Sequence, residues 1–185
     1  MTTAAAAAII RGTKGRGGDG MDIVLYGALG PEGQERRLAY VLLKQALVDV
    51  YGLAELPAVA RCPGGKPWFP QYPQIHFNLS HTAGAAVCAL HDQAVGVDVE
   101  RLRPPPVHLA RGMAAEPFFR EWTAREAAVK RRGGSALALR GPFPPEPLCR
   151  PVENFLPGCV VAVCPSEPAP IRAVRLELGG GGTEG

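Results

Sequence analysis

A strand with two acidic residues constrains this chain more than any other feature. Val97 and Val99 alternate with Asp98 and Glu100, and such alternation predicts a half-buried β-strand over residues 95–100. Because strand side chains point to opposite faces with period two, both carboxylates lie on one face. Two acids this close repel each other unless a positive charge lies between them.

A helix is predicted shortly after that strand, and residues 118–130 are its most informative part. Trp122, Glu126 and Lys130 follow one another at a spacing of four and so share one helical stripe. On a solvated face, the Glu126–Lys130 pair would be an ordinary surface ion pair worth about 0.3–0.5 kcal/mol. The apolar residues 127–129 instead favour partial burial. If the stripe faces the strand, three carboxylates and one ammonium converge, which predicts a divalent-cation site beside a phosphate-binding group.

Length and composition exclude several classes of protein. The 185 residues suffice for one domain or two small lobes. A net charge of +3 without a basic stripe argues against nucleic-acid binding, and no run approaches the roughly 20 apolar residues that span a bilayer.

The five cysteines include no C-x-x-C pair, so we expect neither a zinc site nor a disulfide framework, and Cys88, Cys159 and Cys164 should be small core residues. This cysteine usage predicts a reducing cytoplasm.

The order of elements predicts an α+β fold in two similar halves, residues 21–95 and 96–178. Residues 1–20 and 179–185 are predicted to be flexible tails, with Met21 as an alternative start. The predicted helices cover residues 34–51, 107–115 and 117–132. The predicted strands cover residues 21–27, 75–79, 85–90, 94–100, 158–164 and 171–178.

Two further clusters carry groups that bind anions. Ser80 and His81 follow a predicted strand and offer a hydroxyl and an imidazole, although a simple turn explains them equally well. A serine nucleophile activated by histidine is poorly supported, because neighbouring residues in an extended chain point apart and no nucleophile elbow surrounds them. Gly64, Gly65 and Lys66 form either a solvated turn or a phosphate-binding loop.

Basic residues on the first helix also allow two interpretations. Arg36 and Arg37 are most simply part of a solvated basic face. Near a polyphosphate ligand, either of them could bind phosphate instead.

Four motifs in this order resemble the signatures of the 4′-phosphopantetheinyl transferases, of the larger surfactin-synthetase-activating (Sfp-like) type. They are Gly-Lys-Pro at 65–67, Phe-Asn-Leu-Ser-His at 77–81, Gly-Val-Asp-Val-Glu at 96–100 and the helix segment 122–130. The resemblance covers residues 21–178. It implies a pseudodimer of two α+β halves, here a short variant, with coenzyme A in the cleft between them.

The resemblance also implies an activity. Such an enzyme transfers the 4′-phosphopantetheine arm of coenzyme A to a serine of an acyl or peptidyl carrier protein, with Mg²⁺, and releases adenosine 3′,5′-bisphosphate. It would be a cytoplasmic monomer with an internal pseudo-two-fold. The implied residues are Asp98, Glu100 and Glu126 for Mg²⁺, Glu126, Lys130 and His81 for catalysis, and Lys66, Ser80, His81, Lys130 and Arg37 for coenzyme A, with Arg36 as the alternative to Arg37.

Two segments depart from the family pattern. Residues 101–121 are shorter than usual, and residues 138–158 are trimmed and rich in proline, which puts recognition of the carrier in question. Two alternatives therefore remain open. One is a degenerate homologue that binds coenzyme A or a carrier without turnover, and the other is an unrelated metal-dependent phosphohydrolase. Fatty-acid, polyketide and nonribosomal-peptide carriers are all compatible with the sequence.

Overall fold

The structure is a computed structural model that describes residues 20–110, 112–134 and 146–177. Both predicted tails lie outside the described residues, apart from Gly20. The elements follow one another as β1 (Ile23–Leu29), α1 (Glu35–Tyr51), β2 (Ala60–Arg61), β3 (Pro67–Trp68), β4 (His76–Thr82), β5 (Ala85–His91), β6 (Val95–Arg101), α2 (Val107–Ala110), α3 (Ala115–Arg131), β7 (Arg150–Pro151), β8 (Cys159–Pro165) and β9 (Ile171–Arg175).

Two larger sheets and one hairpin organise these strands. The first sheet has the order β4-β5-β1-β9, the second has the order β6-β8-β7, and β2 pairs with β3. The pairings are antiparallel except for β1 with β9, which is parallel. The mixture of helices and largely antiparallel sheets confirms the predicted α+β class. Because β9 joins the sheet of β1, the last strand ties the two predicted halves together.

Helix α1 covers one face of the first sheet. Leu38, Leu42 and Ala46 recur at a spacing of four, and all three are buried against residues of β1, β4 and β5. Gly52 ends the helix in the left-handed conformation (φ 68°), and its N–H donates to the Val48 carbonyl at 2.9 Å. Glycine adopts this conformation without steric cost, which makes it a common residue at the end of a helix.

The other face of the first sheet packs against the second sheet. The β6 residues in this second core are Val95, Val97 and Val99. Because side chains alternate along a strand, Asp98 and Glu100 point to the opposite face of β6. Helix α3 covers that opposite face, where Ala127 and Ala128 pack against Ala162 of β8. The acids of β6 therefore lie between the second sheet and α3.

Side chains bridge the seam where β4 and β6 meet. Asn78 Oδ1 accepts the Val97 N–H at 2.8 Å, and Ser80 Oγ accepts the Val99 N–H at 3.4 Å. Asn78 and Ser80 are two residues apart and so share one face of β4. Both side chains are buried, where an unpaired backbone N–H would cost about as much as a lost hydrogen bond. This seam holds the 77–81 motif beside the acidic strand.

The cysteine prediction is wrong. Cys149 and Cys164 form a disulfide bond, whereas the odd cysteine count and the lack of a C-x-x-C pair predicted none. The pair forms because β7, which starts just after Cys149, lies beside β8, a proximity that sequence spacing does not reveal. Cys88 is a buried free thiol as expected, and Cys159 is partly buried. The disulfide also removes the cysteine-based support for a reducing compartment.

Each long element that the sequence predicted is present, with ends shifted by a few residues. The helix predicted over 107–115 is shorter and ends at Ala110. The two-residue strands β2, β3 and β7 were not predicted, because segments so short have no periodicity. Among the described residues, no helix combines the length and apolar character needed to cross a membrane.

Candidate active site

Asp98 is the centre of the candidate site. It lies in the middle of β6 with 2% of its surface exposed, and its Oδ1 accepts hydrogen bonds from Ser80 Oγ at 2.7 Å and from Lys130 Nζ at 2.5 Å. Its other oxygen, Oδ2, is buried and has no hydrogen-bond partner in the described structure. A buried carboxylate oxygen without a partner is costly, so Oδ2 is suited to bind a proton or a cation.

Close contact between α3 and β6 brings Lys130 to Asp98. A Cβ atom placed on Gly96 would lie 1.9 Å from the Ala127 carbonyl oxygen and 2.6 Å from the Arg131 nitrogen, so only glycine lets the helix approach this far. Lys130 then reaches the seam and donates to Ser80 Oγ at 2.9 Å as well as to Asp98. The stripe of Trp122, Glu126 and Lys130 predicted that Lys130 approaches the acidic strand.

Glu126 lies one helical turn before Lys130. Its Oε2 is 3.7 Å from Lys130 Nζ. The pKa of Glu126 is raised to about 7, chiefly by burial and next by the charge of Asp98, with a smaller contribution from Glu100, while Lys130 opposes the shift. Three carboxylates therefore share one electrostatic environment that contains a single lysine. A carboxyl group with a pKa near neutrality can exchange a proton under physiological conditions.

Glu100 has a different neighbour from the other two acids. Its Oε2 accepts a hydrogen bond from Arg103 at 2.8 Å. In the described part of the chain, no group of three or more His, Cys, Asp or Glu side chains is arranged to hold a metal ion. The expected cluster of three ligands is therefore not preformed. The donor chemistry still fits a hard divalent cation, because carboxylate oxygens are its preferred ligands and Asp98 Oδ2 is unpartnered.

The 80–81 pair is split between the interior and the surface. Ser80 is buried and bonds to Asp98 and Lys130, whereas His81 is exposed at the end of β4. This divergence agrees with the argument against a serine–histidine nucleophile. Arg37 and Arg36 are also exposed, in the first turn of α1.

Lys66 is partly buried, at the end of the β2–β3 turn. Its Nζ donates to the Val95 carbonyl at 2.9 Å and to the Arg131 carbonyl at 2.8 Å. Burial lowers the pKa of Lys66 to about 8; the charge of Cys62 opposes this shift and that of Arg131 adds to it. In this structure the ammonium group is thus bound to backbone oxygens of β6 and α3.

Two residues of the site were not predicted. Asn78 fixes the β6 backbone through the Val97 N–H, and its position two residues before Ser80 was the signal that could have revealed it. Arg103 pairs with Glu100 after the strand has ended, and the sequence pattern carries no signal for that contact. The site as a whole is a buried acid–lysine pair with a second carboxylate of raised pKa, at the seam of an α+β protein.

Known proteins of one family resemble this chain. It is 27% identical over 172 residues to 4′-phosphopantetheinyl transferase psf-1 of Bacillus pumilus, which covers 75% of this chain and 74% of that protein. It is 28% identical over 92 residues to 4′-phosphopantetheinyl transferase Sfp of Bacillus subtilis (strain 168), covering 40% of this chain and 41% of that protein. It is 34% identical over 108 residues to 4′-phosphopantetheinyl transferase AcpT of Escherichia coli (strain K12), covering 47% and 54%. No family model matches the chain.

The names of these relatives agree with the resemblance that the motifs predicted. The chain is similar to several known 4′-phosphopantetheinyl transferases. The alignments to Sfp and AcpT span only 41% and 54% of those proteins, so the activity of this chain is argued separately below.

Proposed function

We propose that this protein transfers the 4′-phosphopantetheine arm of coenzyme A to a serine of an acyl or peptidyl carrier protein and releases adenosine 3′,5′-bisphosphate. One observation carries the proposal beyond the family resemblance. Lys130, Asp98 and Glu126 come together at a seam between two sheets, with Lys130 Nζ 2.5 Å from Asp98 and 3.7 Å from Glu126. A lysine and a carboxyl group that can exchange protons near pH 7 are the groups that transfer of a phosphate ester requires.

The reaction is a substitution at phosphorus. The carrier serine oxygen forms a bond to the phosphorus that bears the pantetheine arm, and the anhydride bond to adenosine 3′,5′-bisphosphate breaks. The electron pair of that bond stays on the departing phosphate oxygen. In our proposal Glu126 accepts the serine proton, and Lys130 stabilises the negative charge on phosphate. The partial burial of Glu126 supports its role, because burial keeps its pKa near neutrality.

Magnesium is the expected metal. Asp98, Glu126 and Glu100 would hold it, and the unpartnered Oδ2 of Asp98 supports this assignment. When bound, Mg²⁺ would orient the pyrophosphate and offset its charge. Glu100 contacts Arg103 through Oε2, so in our proposal its other carboxylate oxygen would bind the metal.

The residues proposed to bind coenzyme A differ in how accessible they are. His81 and Arg37, or Arg36 in its place, are exposed and free to contact phosphate. Ser80 and Lys66 are bonded to protein groups. The contact of Ser80 with coenzyme A stays a prediction from the resemblance, whereas for Lys66, which the resemblance places at the 3′-phosphate, a different role is argued below.

The arrangement in two halves is also part of the proposal. One helix on one face of each larger sheet, α1 on the first and α3 on the second, supports a pseudodimer with coenzyme A bound at the seam. The halves would be residues 21–95 and 96–178, with β9 exchanged onto the first sheet. We expect a monomer that acts in the cytoplasm on carrier proteins, without nucleic acid or membrane.

Mass spectrometry of carrier proteins tests the proposed activity. Apo acyl and peptidyl carriers from fatty-acid, polyketide and nonribosomal-peptide systems are incubated with the protein, coenzyme A and Mg²⁺. We expect a mass gain of one phosphopantetheine on at least one carrier, and no gain on the same carrier with its acceptor serine replaced by alanine. Saturable coenzyme A binding without any gain across the panel would identify the degenerate alternative. Phosphate or nucleotide release without a carrier would identify a phosphohydrolase.

A further inference from the structure

Lys66 joins three segments that are distant in sequence. It follows the turn of the β2–β3 hairpin, and its ammonium donates to Val95 at the start of β6 and to Arg131 at the end of α3. The last carbonyl groups of a helix have no partner within the helix, and a lysine is a favourable donor to them. The bond to Arg131 therefore caps α3 from a different part of the chain.

The hairpin itself holds Lys66 in place. The Lys66 carbonyl accepts the Cys62 N–H at 2.9 Å, the Gly65 N–H donates to the Cys62 carbonyl at 2.7 Å, and Arg61 donates to the Gly65 carbonyl at 2.7 Å. A side chain on a turn fixed in this way is not free to sample many positions. Lys66 is thus presented to α3 by a small ordered unit.

The hairpin and α3 also touch through glycine backbones. A Cβ atom on Gly64 would lie 1.8 Å from the Gly133 carbonyl oxygen, so no other residue fits at this position without separating the two segments. Gly133 has φ +73°, and the space beside it is lined by the aliphatic stem of Lys66. The hairpin is therefore held against the end of α3 both by the close packing of the glycine backbones and by the hydrogen bonds of Lys66.

The atoms that Lys66 binds lie next to the candidate site. Arg131 directly follows Lys130, and Val95 precedes Asp98 by three residues on the same strand. The two backbone segments that carry the 2.5 Å contact between Lys130 and Asp98 are thus both bonded to one ammonium group.

From this geometry we propose that Lys66 is a positioning residue. It fastens the end of α3 to the start of β6 and so sets the distance between Lys130 and Asp98, and it does not bind the 3′-phosphate of coenzyme A. The kinetic part of this inference rests on the proposed transferase function; the structural part does not.

Three variants test the inference. Lys66→Met keeps the length of the side chain without its donors, and Lys66→Arg keeps donors. Gly64→Ala separates the turn from Gly133 while leaving Lys66 in the chain. Lys44→Met is the matched control, since Lys44 is an exposed lysine on α1.

The first measurement is amide hydrogen exchange on the free protein. We expect Lys66→Met and Gly64→Ala to speed exchange over residues 129–134 and 95–99, and the Lys44→Met control to match the wild type. Unchanged exchange in both variants would overturn the inference, whether or not the protein is an active transferase.

The second measurement compares coenzyme A with 3′-dephospho-coenzyme A. If Lys66 bound the 3′-phosphate, Lys66→Met would lose the preference for coenzyme A, and that loss would overturn the inference. We expect the ratio of the two dissociation constants to stay at the wild-type value.

The third measurement is steady-state transfer. A small displacement of catalytic groups costs mainly turnover, so we expect kcat of Lys66→Met to fall roughly 10- to 100-fold, with KM for coenzyme A changed by less than about 2-fold. Lys66→Arg should recover part of the loss in kcat. A rise in KM at constant kcat would overturn the inference.

If the wild type transfers nothing, only the proposed function fails. Amide hydrogen exchange and the ratio of the two dissociation constants then decide the role of Lys66. If Lys66→Met does not fold, Gly64→Ala and Lys66→Arg carry the same three measurements.

Discussion

The ammonium group of Lys130 lies 2.5 Å from Oδ1 of Asp98, and this contact joins helix α3 to strand β6. Asp98 is 2% exposed and the Lys130 side chain is 30% exposed, so the pair is largely removed from water. Taking charges out of water is costly, and a pair in this position is more easily explained by what it does than by the stability it adds. We interpret it as a site poised to bind phosphate and a cation.

Replacing Lys130 should lower the free energy of unfolding, because the buried Asp98 carboxylate would lose its positive partner. Lys130→Met leaves the Asp98 carboxylate without its cation, and we expect the free energy of unfolding to fall by roughly 2–4 kcal/mol. The double variant Lys130→Met/Asp98→Asn should recover much of that loss, because no buried charge remains. Urea denaturation at pH 7 measures both. A single variant as stable as the wild type would show that the pair is solvated.

Magnesium should stabilise the protein through Asp98. A ligand that binds only the folded state at 100 times its dissociation constant adds about 2.7 kcal/mol to the free energy of unfolding. We therefore expect Mg²⁺ to raise the Tm of the wild type in calorimetry, and to leave the Tm of Asp98→Asn unchanged. Glu55→Gln is the control: it removes one negative charge, as Asp98→Asn does, but from an exposed carboxylate. It should respond to Mg²⁺ like the wild type. Equal stabilisation of Asp98→Asn would contradict the assignment of the metal ligands.

The disulfide should make a measurable contribution to stability. Cys149 and Cys164 close a loop with a sequence separation of 15, for which the loss of unfolded-state entropy is worth about 3 kcal/mol. We expect a reducing agent to lower the free energy of unfolding of the wild type by about that amount and to have no effect on Cys149→Ser. Cys62→Ser, which changes an exposed free thiol, should remain as sensitive to reduction as the wild type.

The pKa of Lys66 predicts a dependence of stability on pH. In the folded state this pKa is about 8, below the 10.5 of an ordinary lysine, chiefly because of burial. Between these values the unfolded chain holds a proton that the folded protein has lost, so raising the pH stabilises the folded state. The stabilisation is complete above 10.5 and is lost as the pH falls through 8.

A difference measurement isolates this contribution from other titrating groups. The free energy of unfolding of the wild type minus that of Lys66→Met should rise by up to about 3 kcal/mol between pH 8 and pH 10.5. The same difference taken with Lys44→Met, a variant of an exposed lysine, is the control. A flat difference for Lys66→Met would show that Lys66 titrates as it does in water.

The sequence predicted the parts of the site that depend on periodicity. Alternation placed Asp98 opposite the apolar core residues of β6, and helical spacing placed Glu126 and Lys130 on one stripe of α3. Both follow from the geometry of a single element, which neighbouring elements did not alter.

Contacts between distant segments could not be predicted in the same way. The bonds of Lys66 to Val95 and Arg131 depend on where a two-residue hairpin lies against α3, and hairpins this short leave no pattern in sequence. The pairing of β1 with β9, which crosses between the predicted halves, is likewise a property of the packed chain and not of either strand alone.

Single-turnover transfer from coenzyme A to an apo carrier tests the central claim most directly. With enzyme in excess and Mg²⁺ present, the mass of the carrier is followed for the wild type, Asp98→Asn, Glu126→Gln and the exposed control Glu55→Gln. A general base typically contributes about 10²–10⁴-fold, and loss of a metal ligand removes the charge neutralisation that the metal supplies, so we expect rates at least about 100-fold lower for Glu126→Gln and Asp98→Asn and a near-normal rate for Glu55→Gln. Wild-type rates in both Asp98→Asn and Glu126→Gln would contradict the account.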